Sequence, residues 1–291
     1  EEAFKFAFPS HITMLAKNRE GIVNLNKIVS QSHTVNFAHE PRILKKFLEK
    51  HRSGLLVGSS CYKGDVFEKA MNNSYEELVE TVKFFDYLEV QTPEVYSHYV
   101  ESSGGEITIN HIQEIIKKII KAGKETGVMV VATGDVHHLD RDDTEYRKML
   151  FEVPMVGGGM HDLHEIKNLP SQHYRSTEEM LQEFSFLDDE VAFEIVVTNT
   201  NLICDMVEEF DLFPKKLFAP GDDFMAHKGI PSAKEASIKL TYDTAHRKYG
   251  EVLPKLVEDR LEKELNSIIS NDFSSIYFIA HMLVKHSRDA G

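Results

Sequence analysis

The apolar positions of the chain keep two rhythms, and the balance between them changes near residue 170. In the first part they come as short unbroken runs. His11-Ile12-Thr13-Met14-Leu15-Ala16, Leu55-Leu56-Val57-Gly58, Tyr87-Leu88-Glu89-Val90 and Val128-Met129-Val130-Val131-Ala132-Thr133 are each four to six residues long. Runs of that length, rich in β-branched and aromatic residues, read as strands buried on both faces. Between them the spacing turns helical. Ile22, Leu25, Ile28 and Val29 share one face after a turn at Lys17–Gly21. Ser74-x-x-Glu77 is a capping box opening a helix towards Phe85. Asn110 precedes Ile112, Ile115, Ile116, Ile119 and Ile120, a stripe at i, i+3, i+4, i+7 and i+8 that Gly123 and Gly127 close. Gln91–Glu106, with Pro93, Gly104 and Gly105, reads as a long loop. Strand, helix, strand with buried strands predicts βα units in a parallel sheet or barrel.

After Leu139 the strand rhythm is lost. Asp140–Asp143 is acidic and Val156–Gly159 reads as a flexible loop. From Tyr174 onward the pattern is helical. Ser176-x-x-Glu179 is a second capping box, and Asp188 caps a helix that carries Val191, Ile195, Leu202, Ile203, Met206 and Val207. Leu212–His227 is a connector. Ser232-x-x-Glu235 caps the next helix, which Gly250 ends; Leu253, Val257, Leu261 and Leu265 stripe another; a last helix runs from Ser275 towards Arg288. The expected fold class is α/β followed by mostly α, divided into residues 1–170 and 171–291.

A chain of 291 residues with 42% hydrophobic residues has room for about two cored domains. Its 33 basic and 47 acidic residues leave a net charge of -14, which excludes a nucleic-acid-binding surface spread over the whole molecule. Two cysteines, Cys61 and Cys204, provide no disulfide framework and fit a reducing, cytoplasmic setting. No run approaches the roughly 18 apolar residues of a membrane span. Glu1–Phe6 lacks a signal-peptide layout and an initiator Met, as in a piece of a longer protein.

The candidate chemistry sits at strand ends. Asp135 and His137 follow the last buried run, two residues apart, so in an extended chain both point to one side. A carboxylate and an imidazole so placed can hold a divalent metal; a plain surface loop is the alternative. Cys61 lies just past the second run, as a soft ligand or a small core residue. Glu89 lies inside a strand and needs a partner or a site. His33, His39 and His51 match no tight ligand spacing and read as loop histidines. Gly157-Gly158-Gly159 lacks the Lys-Ser/Thr of a phosphate-binding loop.

Several segments resemble, in collinear order, the alpha subunits of bacterial DNA polymerase III, and among them the PolC type. They are His11–Asn18 with Glu20–Leu25, Gly54–Phe67, Tyr87–Tyr96, Val130–Leu139, Tyr174–Leu187 and Arg260–Ile269. The resemblance implies a partial PHP-type (β/α) barrel up to about residue 170, then a helical segment leading into the polymerase palm. It implies that the chain begins after an inserted proofreading exonuclease and stops before the palm aspartates, so that no polymerase or exonuclease catalytic residue lies within it. Carried over residue by residue, His11, Cys61, Asp135 and His137 would be metal ligands for zinc or manganese, with further ligands upstream of Glu1. The whole protein would extend primers on a DNA template with dNTPs and magnesium, proofread in the 3'-5' direction, and work with a sliding clamp and other replisome subunits. No DNA-contacting residue can be assigned. Two other readings stay open: a PHP-type metal-dependent phosphoesterase, and a non-catalytic structural module.

Overall fold

The computed structural model describes residues 8–161, 163–213, 215, 220–227 and 229–291. The expected connector Leu212–His227 and the N-terminal segment Glu1–Phe6 fall partly or wholly outside them. Among the described residues, four strands form one sheet in chain order: β1 (Thr13–Ala16), β2 (Leu55–Gly58), β3 (Tyr87–Gln91) and β4 (Met129–Thr133). β2, β3 and β4 are parallel, with Gly58 opposite Tyr87 and Tyr87 opposite Met129. β1 departs from the parallel expectation. It runs antiparallel to β2, with Thr13 opposite Gly58 and Ala16 opposite Leu55.

The reason lies in the connection. Helix α1 (Arg19–Thr34) leaves directly from the end of β1, three residues earlier than its apolar spacing suggests. Asn18 caps it, its side chain accepting from the Gly21 amide. A short α2 (Lys45–Lys50) then returns the chain to Gly54, whose carbonyl accepts from Lys17 N at 2.8 Å. The excursion ends where it began, so the next strand must run back along the first. This needs two bare α-carbons: a Cβ on Gly21 would stand 2.0 Å from the Gly54 carbonyl oxygen, and Gly54 has φ +74.

One face of the sheet carries the main core. Val57, Leu88, Val90, Val130 and Ala132 are buried there. Against them pack α1, α3 (Asp65–Asn72), α4 (Tyr75–Val82) and a later helix, α6 (Ile109–Thr126). The Ser74–Glu77 capping box of α4 forms as expected. The isoleucine helix α6 is capped by Thr108 rather than Asn110, with His111 completing a capping box and Gly127 ending it in a left-handed conformation. Gly123 does not close the helix. It lies within α6 where the helix meets β4, and a Cβ there would stand 2.6 Å from Val130 Cγ2 and 2.8 Å from the Val128 carbonyl oxygen. The opposite face is more modest: Leu56, Tyr87 and Val131, flanked by Leu15, Met129 and Ile203.

The expected long loop after β3 is partly helical. Pro93–Tyr96 forms a 3-10 turn with Pro93 in its first turn, and α5 (Ser97–Ser102) continues it. Further on, α7 (Thr144–Phe151) and α8 (Thr177–Glu183) follow, the latter with both halves of the Ser176–Glu179 capping box. The helix expected from Asp188 is present in three parts: α9 (Asp189–Phe193), a π-helical stretch (Glu194–Thr198) and α10 (Asn199–Asp205). Asn199 is buried and donates its side-chain amide to the Val130 carbonyl at 2.8 Å, covering the open edge of β4.

The chain divides into two compact units, Glu1–Leu212 and Phe213–Gly291. The change of rhythm near residue 170 is therefore a change in element type inside the first unit, because α8, α9 and α10 stay with the sheet. The second unit holds α11 (Asp222–Ala226), α12 (Ala233–Tyr249), α13 (Lys255–Ser270) and α14 (Ser274–Ala290). Ser232 caps α12, and Gly250 follows its last turn.

Alanine is normally the better helix residue by about 1 kcal/mol. At Gly123 the contact with β4 reverses that preference. Gly123→Ala is expected to destabilise the chain by about 1–3 kcal/mol through overpacking, measured as a lower denaturant midpoint at unchanged slope.

Candidate metal centre

The antiparallel turn of β1 places its amino end beside the carboxyl end of β2. His11 precedes β1, its amide donating to the Lys63 carbonyl at 2.9 Å. Ser10 anchors the approach by donating its hydroxyl to Asp65 Oδ1 at 2.5 Å. Cys61 lies in the turn after β2. Its Sγ is 3.4 Å from His11 Nδ1, so these two expected residues meet. Loss of hydration around the His11 ring, reinforced by the Lys63 ammonium, holds its pKa below the ordinary value against the pull of Glu40. The imidazole is therefore neutral at pH 7, the form that offers a lone pair.

The second pair forms after β4. Asp135 adopts φ +48, a conformation uncommon outside glycine, and turns the chain there. His137 Nδ1 lies 2.8 Å from the Asp135 carbonyl and 3.8 Å from its Oδ1. A ring whose Nδ1–H is donated to a carbonyl presents Nε2 outward as an acceptor, the usual arrangement of a ligating histidine. The Asp135 carboxylate accepts from the Gln172 side chain, and the Gln172 carbonyl accepts from His137 N at 2.7 Å.

The structure thus pairs the four expected residues, two and two. Among the described residues, no group of three or more His, Cys, Asp or Glu side chains stands ready around one metal position. The two pairs do share one rim of the sheet. Tyr96, fully buried after β3, feels both: burial first, then the charges of Cys61, Asp135 and Glu89, push its hydroxyl pKa up, so it stays protonated. Around the same rim, Gln91 Oε1, Thr92 Oγ1 and His98 Nε2 are buried without a hydrogen-bond partner. His98 has its Nδ1 3.0 Å from the Val95 carbonyl. Orphaned buried acceptors are costly, and their grouping beside two pairs of soft and hard donors fits a rim that holds a cation or a polar group. The donor chemistry fits a divalent metal ion; among the described residues the ring of ligands is incomplete.

Gln91, Thr92, His98 and Gln172 were not singled out by sequence. They lie outside any strand-end Asp-x-His or lone Cys signal, and only the fold brings them to the rim. Conversely, two of the three scattered histidines serve the local backbone. His33 Nδ1 lies 2.9 Å from the Val29 carbonyl, and His51 Nδ1 lies 3.0 Å from that of Phe47. Gly157, Gly158 and Gly159 all have positive φ in a turn that Met155 N closes on the Gly159 carbonyl at 2.9 Å.

Glu89 occupies the thinner face of β3 beside Tyr87. Thr133 Oγ1 donates to its Oε2 at 3.5 Å and the Thr13 and Tyr87 hydroxyls lie near enough to favour its charged form, yet its Oε1 has no partner. Burial outweighs those contacts and, with a contribution from Asp135, raises its pKa.

Comparison with known proteins bears on the whole chain. The PHP domain family matches residues 3–93, which include His11 and Cys61 but stop short of Asp135. The family described as bacterial DNA polymerase III alpha NTPase domain matches residues 236–291. The DNA polymerase III PolC-type of Halalkalibacterium halodurans is 45% identical over 285 residues, 97% of this chain and 19% of the relative. The Bacillus subtilis protein of the same name is 44% identical over 291 residues, covering 99% of this chain and 19% of its own length. That of Pediococcus pentosaceus is 43% identical over 292 residues, covering 100% of this chain and 19% of its own length. The chain spans about a fifth of the length of these curated relatives. No helix among the described residues is long and apolar enough to cross a membrane.

A carboxyl with a raised folded-state pKa keeps its proton longer when folded than when unfolded, so stability falls as pH rises through and above the ordinary carboxylate range. Glu89→Gln is therefore expected to be more stable than the parent at about pH 8. The difference should close as pH drops below roughly 4, near the unperturbed glutamate value. Urea melts of both proteins across that range measure it.

Proposed function

Because the chain is homologous along its whole length to one segment of PolC-type DNA polymerase III, we propose that it works within a replicative DNA polymerase. The whole protein extends primers on a DNA template with dNTPs and magnesium, and carries a 3'-5' proofreading exonuclease. Sliding clamp and replisome contacts belong to that larger protein. The observation that carries this reading is the collinear 40–45% identity over residues on both sides of the sheet-to-helix change. Residues up to about 170 are the later part of a PHP domain, and residues 171–291 lead into the polymerase palm.

Within it, His11, Cys61, Asp135 and His137 contribute ligands to a zinc or manganese ion, and upstream residues complete the set. Support comes from the 3.4 Å Cys61–His11 contact, the neutral His11 ring and the outward Nε2 of His137. When bound, such an ion supplies a fixed positive charge that ties strand ends together and can acidify a water. The chain's own part is to aim the donors: the β1 turn-back brings imidazole to thiol, and the left-handed Asp135 brings carboxylate towards imidazole. No residue of the chain is assigned to nucleotidyl transfer.

Primer extension by the whole polymerase carrying this segment tests the first statement. Template-dependent incorporation of dNTPs is expected, and its absence in a folded preparation would refute the reading. The ligand assignment is tested by elemental analysis. The parent should retain zinc or manganese after gel filtration, and Cys61→Ala with His137→Ala should lose it about tenfold or more. Equal metal content in both would overturn the assignment.

A further inference from the structure

We propose that Gln172 is the positioning residue of the Asp135-x-His137 segment, choosing which carboxylate oxygen faces the metal position. The inference rests on the reading of Asp135 and His137 as ligands. Gln172 is 5% exposed and bonds through three of its polar atoms. Its Nε2 donates to Asp135 Oδ2, and its Oε1 accepts from Arg147 Nη1. Its backbone carbonyl accepts from His137 N at 2.7 Å and from His138 N at 3.3 Å. The chemistry of the partners removes the usual ambiguity of an amide's orientation. A guanidinium can only donate, so the amide oxygen must face Arg147 and the NH2 must face Asp135.

The consequence is selective. Oδ2 is occupied, while Oδ1 stays on the side of His137, 3.8 Å from its ring nitrogen. A neutral amide achieves this without cancelling the carboxylate charge, which a direct Arg147–Asp135 pair would do. The supporting segment is itself held firmly. Tyr174 N donates to the carbonyls of His138 at 3.0 Å and Leu139 at 3.2 Å, and His173 bridges to His138 in parallel. Arg175, with its side chain 1% exposed, is fixed between Glu94 at 2.8 Å and Glu183 at 3.3 Å. Residues 171–175 therefore form a short rail along the ligand loop, with Gln172 as its contact to the carboxylate.

Gln172→Met keeps length and volume but removes the donor and the acceptor. Arg147→Met leaves the amide in place but free to turn over. Each is made in the whole polymerase, and Zn2+ affinity is read by competition with a chromophoric chelator. Thermal unfolding of the metal-free forms is followed in parallel. Gln172→Met is expected to weaken Zn2+ binding about tenfold to a hundredfold, and Arg147→Met less. A purely structural role would lower the metal-free unfolding temperature and leave Zn2+ affinity unchanged, and that result overturns the proposal. Asp135→Asn and His137→Ala run alongside. If they abolish binding while Gln172→Met does not, Gln172 has no positioning role. If they too retain full Zn2+ affinity, the ligand reading itself fails.

Discussion

The close approach of Gly21 to Gly54 is the constraint on which the rest of the first unit depends. It allows α1 to leave the sheet at the point to which α2 returns. That return makes β1 antiparallel to β2, and the antiparallel pairing sets His11 beside Cys61. Had β1 run parallel, His11 would lie at the amino ends of the strands, roughly a strand's length (about 13 Å for four residues) from the thiol. Two bare α-carbons therefore decide whether the imidazole and the thiol can act together. Side-chain chemistry at the rim comes after this backbone decision.

A second layer of dependence lies just beyond β4. Asp135 turns the chain in a left-handed conformation, and such a conformation persists in a non-glycine residue only when its surroundings hold it. Here the holders come from residues 171–175, supported by the ion pairs that the buried Arg175 guanidinium makes with the partly exposed Glu94 and Glu183. Buried charges of this kind contribute little net stability when complete and cost several kcal/mol when one partner is lost. Their effect is to make one arrangement of the loop strongly preferred. Glu94, shared by Arg175 and Arg141, extends that arrangement back to the turn after β3.

Much of the fold was legible because burial and period are local signals. The four runs are the four strands, and the Ser74 and Ser176 capping boxes form as read. The isoleucine stripe is the helix that packs on them. Strand direction was not legible, since it depends on how α1 and α2 close their excursion. The short helices after β3 were hidden by Pro93 and by a polar composition. Thr108 displaced Asn110 as the cap because the helix begins one turn before the apolar stripe makes it visible. Of the site, the strand-end residues could be named, and two contacts between them are present. Gln172 could not: a glutamine far along the chain has no pattern of its own, and its meaning comes only from the carboxylate it touches.

The helix that covers β4 carries an implication for how this protein can be divided. Asn199 shields the Val130 carbonyl, Gln172 holds Asp135, and Arg175 holds the turn after β3. All three lie beyond the point at which the sequence changes rhythm. A piece cut there would keep all four candidate ligands yet expose a sheet edge and release the loop they depend on. The PHP-like sheet is therefore not a portable module. It is completed by the helical segment that follows it within the same compact unit, so that divergence in that segment and divergence at the rim are not free to proceed independently.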